Sequence, residues 1–209
     1  MLVLAKARLV YLATPKTASQ AIRAMLAPYA ETPETARQFP HMNATVYARR
    51  WAPFLTGELG RAPETFAVMR EPLEQMESWF RYRQRDSLAG RPNSTQGLTF
   101  VEFVEARLSD PPPPYAALGR QDRFLGFLDG GPPVTHVFDY ARLDLLLAFV
   151  QARLGADLVL RHKNVSSRDP DATPNLPPGL ERRFRAAHSE EFALYDRVAA
   201  TGHLITQSD

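Results

Sequence analysis

Three short apolar runs, each followed by helical signals, constrain this chain most: Arg8–Thr14 (RLVYLAT), Thr65–Met69 (TFAVM) and Val134–Tyr140 (VTHVFDY). Their length and their β-branched and aromatic content read as strands. A helix is predicted after the first over Ala18–Ala27, with Ile22, Met25 and Leu26 at helical spacing and Pro28 and Pro33 ending it. After the second, Pro72 sits where a helix begins, and Leu73, Met76 and Phe80 line one face. After the third, Leu143–Leu154 reads as a helix closed by Gly155. Strands alternating with helices require a parallel sheet covered on both faces, an α/β fold.

The remaining segments fill in around that frame. Glu31–Pro40 is a connector, and Asn43 or Thr45 caps a short helix through Arg50. Arg85–Gly97 (RDSLAGRPNSTQG) has turn chemistry and little to bury, so it reads as a mobile loop. Thr99 caps a helix through Leu108. A short helix is expected within Tyr115–Leu128, irregular chain over Val159–Asp171, and one or two helices over Pro177–Thr201. Prolines, 18 in all, cluster at Pro111–Pro114, Pro132–Pro133 and Pro170–Pro178 and mark loops rather than domain boundaries. The 209 residues suit one domain spanning 1–209.

Composition narrows the function classes. Charged residues are 23% and hydrophobic residues 44%, as in soluble globular proteins. A formal charge of +2 gives no general basis for nucleic-acid or membrane binding, but leaves room for a local basic pocket. There is no cysteine, which removes disulfides and thiolate metal sites. Neither a signal-peptide layout nor an apolar run of about 18 residues is present, so a cytoplasmic protein is expected.

Two stretches carry chemistry. The first, Thr14–Gln20 (TPKTASQ), joins the first strand to its helix. A loop in that position points backbone N–H groups and a positive dipole end outward, and Lys16 adds a full charge. Thr17 and Ser19 add hydroxyls. The loop has no glycine, whereas a nucleoside-triphosphate loop needs glycines to let the backbone wrap the phosphates. The second is Phe66–Arg83 (FAVMREPLEQMESWFRYR). Arg70 ends a strand, and Ser78 lies roughly 9 Å along the following helix. A guanidinium and a hydroxyl so placed can share one phosphate. The competing structural reading pairs Arg70 with Glu74.

Together the two stretches resemble the sulfotransferases that use 3′-phosphoadenylyl sulfate. TPKTASQ is similar to the 5′-phosphosulfate loop of that family, and VMREPLEQMESWF to its 3′-phosphate motif. THVFDYARLDLLLAFVQARLG resembles a later strand and helix, and HKNVSS with EEFALYDRV resembles the tail of smaller, carbohydrate-type bacterial members. Three positions depart from the pattern: Glu71 stands for Asp or Asn, Gln75 for an Arg, and Ala141 for a Glu.

The resemblance implies a three-layer, P-loop-NTPase-like fold with a central, mostly parallel sheet flanked by helices. It implies transfer of a sulfuryl group from 3′-phosphoadenylyl sulfate (PAPS) to a small-molecule or carbohydrate hydroxyl or amine, without a metal. The product is adenosine 3′,5′-bisphosphate. Lys16 would stabilise the leaving phosphate. Pro15, Lys16, Thr17, Ala18, Ser19 and Gln20 would cradle the 5′ end, and Arg70 and Ser78 the 3′-phosphate, with Lys163 or Arg168 completing that end. His41 is the choice for general base. His162 is the runner-up, and Glu34 and Glu71 are carboxylate alternatives; His136 reads as structural and His188 and His203 as helix-surface residues. Arg49, Arg50 and Trp51, with Arg81, Arg83 and Arg85, are expected either as a basic rim or as solvated helix faces. A small-molecule kinase with an atypical loop would need a magnesium carboxylate, for which Asp139 is the candidate; a non-catalytic nucleotide-binding protein would keep Lys16 and Arg70 without a base.

Overall fold

The computed structural model describes residues 1–32, 40–128, 132–161 and 176–206. A five-stranded sheet runs β1 (Leu2–Leu4), β2 (Leu9–Tyr11), β3 (Glu64–Met69), β4 (His136–Asp139) and β5 (His203–Ile205), in that spatial order. The central β2, β3 and β4 are parallel, and β1 and β5 close the edges antiparallel. The fold is therefore α/β with a mixed, mostly parallel sheet.

Strand pleating sends alternate residues to opposite faces. Tyr11, Phe66, Val68 and Phe138 pack under α1 (Ser19–Leu26) and a long helix over Leu143–Leu154. Val10, Ala67, Met69 and Val137 face the other way. They are covered by α2 (Ala44–Arg50), α3 (Ala52–Leu59) and the C-terminal helix over Ser189–Thr201. A third cluster forms beyond the sheet. There α4 (Pro72–Arg83) and α5 (Phe100–Arg107) bury Met76, Phe80 and Phe103 against Phe184 and Phe192. The short α6 is Gln121–Phe124, α7 is Leu143–Leu154, α8 is Pro178–Ala187 and α9 is Ser189–Thr201. Phe192 of α9 joins the third cluster while its Leu194 and Val198 join the sheet, so α9 holds the two together.

Local caps explain most boundaries. The Asn43 side chain accepts from the Val46 N–H at 2.8 Å and starts α2. Thr99 and Glu102 form a reciprocal capping box at α5. Gly155, at φ 63°, ends α7 in the left-handed conformation.

Four expectations are corrected. Arg85–Gly97 is not free to move as a loop: Thr95 is fully buried and its hydroxyl donates to the Phe80 carbonyl at 2.8 Å, pinning the segment to α4. β1, α3 and β5 were not expected; both strands are three residues long, β1 pairing with the neighbouring β2 and β5 with the sequence-distant β4. His188 is buried, its Nδ1 donating to Glu191 Oε2 at 2.9 Å, rather than lying on a helix surface. His203 lies in β5 and stacks on Phe138 at 4.0 Å. Among the described residues no helix is long and apolar enough to cross a membrane.

Candidate functional site

The carboxyl ends of the three parallel strands lie side by side. Open α/β sheets bind ligands at that edge. β2 delivers the loop with Lys16, β3 delivers Arg70 and β4 delivers Asp139. A cavity of ≈ 1080 Å³ opens over these ends, ample for a nucleotide-sized ligand.

The loop turns without glycine by placing two L-residues in the left-handed region: Lys16 at φ 67° and Ala18 at φ 56°. That conformation costs about 1–2 kcal/mol per residue. The turn brings α1 to the cavity with its N-terminus inward. Ala18 has no capping side chain, and the first intrahelical bond is Ile22 N–H to Ala18 O at 3.1 Å. The Ser19, Gln20 and Ala21 amides thus lack intrahelical acceptors and present a positive end.

Pro15, Lys16, Ala18, Ser19, Gln20, His41, Arg70 and Ser78 all line this one cavity. Thr17 is set apart: its side chain is fully buried and its hydroxyl donates to the Thr14 carbonyl at 2.8 Å. Lys163 and Arg168, with His162 and Glu34, lie outside the described residues.

The Lys16 ammonium has no carboxylate partner among the described residues. It rests over the Tyr82 ring at 4.3 Å, with the Trp79 ring at 5.5 Å. Burial, then the fields of Arg85, Arg70 and Arg81, push its pKa down to about 8. A lysine so surrounded by positive charge lacks only an anion.

Arg70 is buried and preorganised. Its guanidinium lies over the Tyr140 ring at 4.4 Å, and its Nε donates to Glu74 Oε2 at 3.2 Å. The structural pairing with Glu74 is therefore present, but it uses one nitrogen. The two terminal nitrogens make no hydrogen bond among the described residues and remain a fork for an anion. The Arg70 backbone is held by Gln121, which accepts from its N–H at 3.0 Å and donates to its carbonyl at 2.8 Å. Gln121 is fixed in turn: its own N–H donates to Glu191 Oε1 at 2.7 Å.

One bond ties the two motifs together. Gln75 Nε2 donates to the Pro15 carbonyl at 3.0 Å and so joins α4 to the lysine loop. His41 hangs from the same strand end. Its Nδ1 donates to the Ala13 carbonyl at 2.8 Å, because a carbonyl can only accept. In the neutral ring this leaves Nε2 as a free acceptor, the tautomer a general base requires.

Asp139 is occupied locally. Its Oδ1 accepts from the Ala141 N–H at 3.0 Å and from the Tyr195 hydroxyl at 3.4 Å. Burial first, then the nearby Asp139, Glu71 and Glu74 charges, raise the Tyr195 pKa well above its ordinary value. Among the described residues no three His, Asp or Glu side chains are placed to share a metal.

Of the expected basic rim, Arg81 and Arg85 line the cavity. Arg83 turns away and donates to the Pro114 and Tyr115 carbonyls. Trp51 packs edge-on against Phe54 beside the opposite face of the sheet. Sequence reasoning missed Trp79, Tyr82, Tyr140, Gln75 and Gln121. Tyr82 was findable, since it follows Ser78 by four positions on the same helix, and Trp79 precedes Tyr82 by three. Gln121 gave no local signal.

No family model, curated protein or solved structure matches the chain.

Proposed function

We propose that this protein is a sulfotransferase that uses 3′-phosphoadenylyl sulfate and passes a sulfuryl group to an acceptor hydroxyl or amine. The observation that carries the reading is that Lys16, the start of α1, Arg70 and Ser78 all line one cavity, with the Gln75–Pro15 bond joining the lysine loop to α4. The donor carries two separate anionic groups, the 5′-phosphosulfate and the 3′-phosphate. The residues present fit them: an uncompensated lysine, free first-turn amides, and a guanidinium fork with two uncommitted nitrogens. The accompanying fold reading is a three-layer arrangement of the P-loop-NTPase kind, supported by the phosphate-type loop at the end of a central parallel strand.

When bound, the donor supplies an activated S–O bond to phosphate. Lys16 and the α1 amides hold the charge that grows on that phosphate oxygen as the bond breaks. His41 Nε2 is free to take the proton of the acceptor as its oxygen or nitrogen bonds to sulfur. Arg70 and Ser78 anchor the far end, so binding energy there fixes the reacting end in line. Gln75 braces the lysine loop against α4, and Gln121 braces the Arg70 backbone. For the kinase alternative, Asp139 lines the same cavity, with its Oδ1 accepting from the Ala141 N–H at the turn after β4.

Calorimetric titration tests this reading. Adenosine 3′,5′-bisphosphate should bind the wild type more tightly than ADP with or without magnesium, and Lys16→Ala should lose most of that affinity. Equal binding of magnesium ADP, or no bisphosphate binding, would overturn the assignment.

A further inference from the structure

The cavity-facing stripe of α4 continues past the donor grips. Glu74, Ser78, Arg81 and Tyr82 lie on it at helical spacing, and Arg85 follows just beyond the helix end. Arg85 is exposed, lines the cavity, and lies over the Tyr82 ring at 4.8 Å. Lys16 is over the same ring at 4.3 Å. Two cations therefore share one aromatic ring. Arg81 is neutralised by Glu77, but the Arg85 guanidinium makes no ion pair or hydrogen bond among the described residues.

The donor's anionic groups are already matched, one by Lys16 and the α1 amides, the other by Arg70 and Ser78. Arg85 is about 10 Å further along the helix direction than Ser78, at a rise of about 1.5 Å per residue. Sharing the Tyr82 ring with Lys16, it stands at the lysine end of the cavity rather than at the 3′-phosphate grip. A planar guanidinium with an unused fork, next to the reacting lysine, recognises a carboxylate or a sulfate in bidentate fashion.

We infer that the acceptor carries its own fixed negative charge, a carboxylate or a sulfate ester close to the reacting group, and that Arg85 selects it. This rests on the sulfotransferase reading for the word acceptor, but the anion site itself does not. Uncharged alcohols and neutral sugars would leave the Arg85 fork without a partner and would be weaker ligands. Tyr82 holds Arg85 in place through its ring face, at an exposed position where such a contact orients more than it binds.

The test is titration of the wild type, Arg85→Ala and Arg85→Lys with two matched pairs of probes, with and without saturating adenosine 3′,5′-bisphosphate. One pair is a glucuronic-acid disaccharide and its carboxyl-reduced counterpart. The other is a sugar sulfate and its desulfated parent. In at least one pair the charged member should bind the wild type about tenfold or more tightly than the neutral one. Arg85→Ala should abolish that difference, Arg85→Lys should keep part of it, and bisphosphate affinity should change much less than affinity for the charged probe. The pair that responds identifies the anion. Equal binding within both pairs, or a charged preference that survives in Arg85→Ala, overturns the inference. So does an equal loss of bisphosphate affinity in Arg85→Ala, which would place Arg85 in the donor grip. Failure of the bisphosphate to bind the wild type is read separately: it removes the donor reading while Arg85-dependent anion binding still stands.

Discussion

Gln75 Nε2 donates to the carbonyl oxygen of Pro15 at 3.0 Å, across 60 residues of chain, and this bond joins the lysine loop to the helix that carries Ser78. Gln75 is buried, so removing its amide leaves the Pro15 carbonyl without that partner at a cost of about 1–3 kcal/mol. Gln75→Leu should lower Tm by several degrees. Its effect on binding should depend on ligand length. Adenosine 3′,5′-bisphosphate spans both grips and should lose about tenfold in affinity, whereas inorganic pyrophosphate touches the loop alone and should lose much less. Equal losses for the two ligands would show that Gln75 merely stabilises the fold.

The Lys16 pKa gives the site a pH dependence with a definite sign. Burial and three arginines lower it to about 8, so the free protein loses the Lys16 charge as pH rises through 8. An anion needs the charged form. Affinity for the bisphosphate should therefore be flat below about pH 7 and fall above pH 8, approaching tenfold per pH unit. Binding near pH 8 should take up a proton, visible as an enthalpy that changes with the ionisation heat of the buffer. Stability runs the other way. The unfolded lysine holds its proton to about 10.5, so folding is favoured increasingly between pH 8 and 10.5. Lys16→Arg should remove the alkaline fall in affinity; an unchanged profile would assign the pH dependence to another group.

Ala18 tests the strain in the glycine-free loop. At φ 56° an alanine carries a left-handed penalty of about 1–2 kcal/mol. Glycine removes that penalty but adds about 0.5–1 kcal/mol of unfolded-state entropy. The strain term is the larger, so Ala18→Gly should raise stability by about 0.5–1 kcal/mol, measured by urea denaturation. A loss of stability would mean the loop is relaxed as it stands.

The parts of this molecule that were legible in the sequence are those fixed by neighbours in the chain. Asn43, Thr99 and Gly155 end or begin helices through bonds to residues three or four positions away, Pro72 opens α4 by its fixed φ, and each is where a local reading puts it. Lys16 and Arg70 are legible for the same reason, because each lies between a strand and the helix that follows it. β1 and β5 were not legible, since an edge strand of three residues has no period to detect and exists only by pairing. The order in Arg85–Gly97 depends on Thr95 reaching back to Phe80, which composition cannot show. Within the site, the resting place of Lys16 on Tyr82 and the clamp of Gln121 on Arg70 are tertiary, the latter across 51 residues. The turn at Ala18 was hidden because the usual signal for it is glycine.

At the opposite end of the sheet, Glu64 sets an acid limit on stability. Arg153 of α7 donates to both of its carboxylate oxygens, at 2.8 and 3.1 Å, and His136 of β4 reaches Oε2 at 2.8 Å. The Arg153 bonds first, then the His136 contacts, hold the Glu64 pKa down at about 2 against an ordinary 4.5. A depressed carboxylate contributes stability that is complete above pH 4.5 and lost as pH falls toward 2. The carboxylate is more than a third exposed, so solvent screening limits the contribution to about 1 kcal/mol. His203 of β5 bonds His136 at 3.0 Å, and burial, then His136, lower its pKa. It therefore resists charging and adds to the acid loss below about pH 6.5. Glu64→Gln should lower Tm by a few degrees at pH 7, and the gap from wild type should close as pH drops from 4.5 to 2. A gap that stays constant across that window would mean that packing of α7 on the strand ends, rather than the Glu64 charge, holds this corner together.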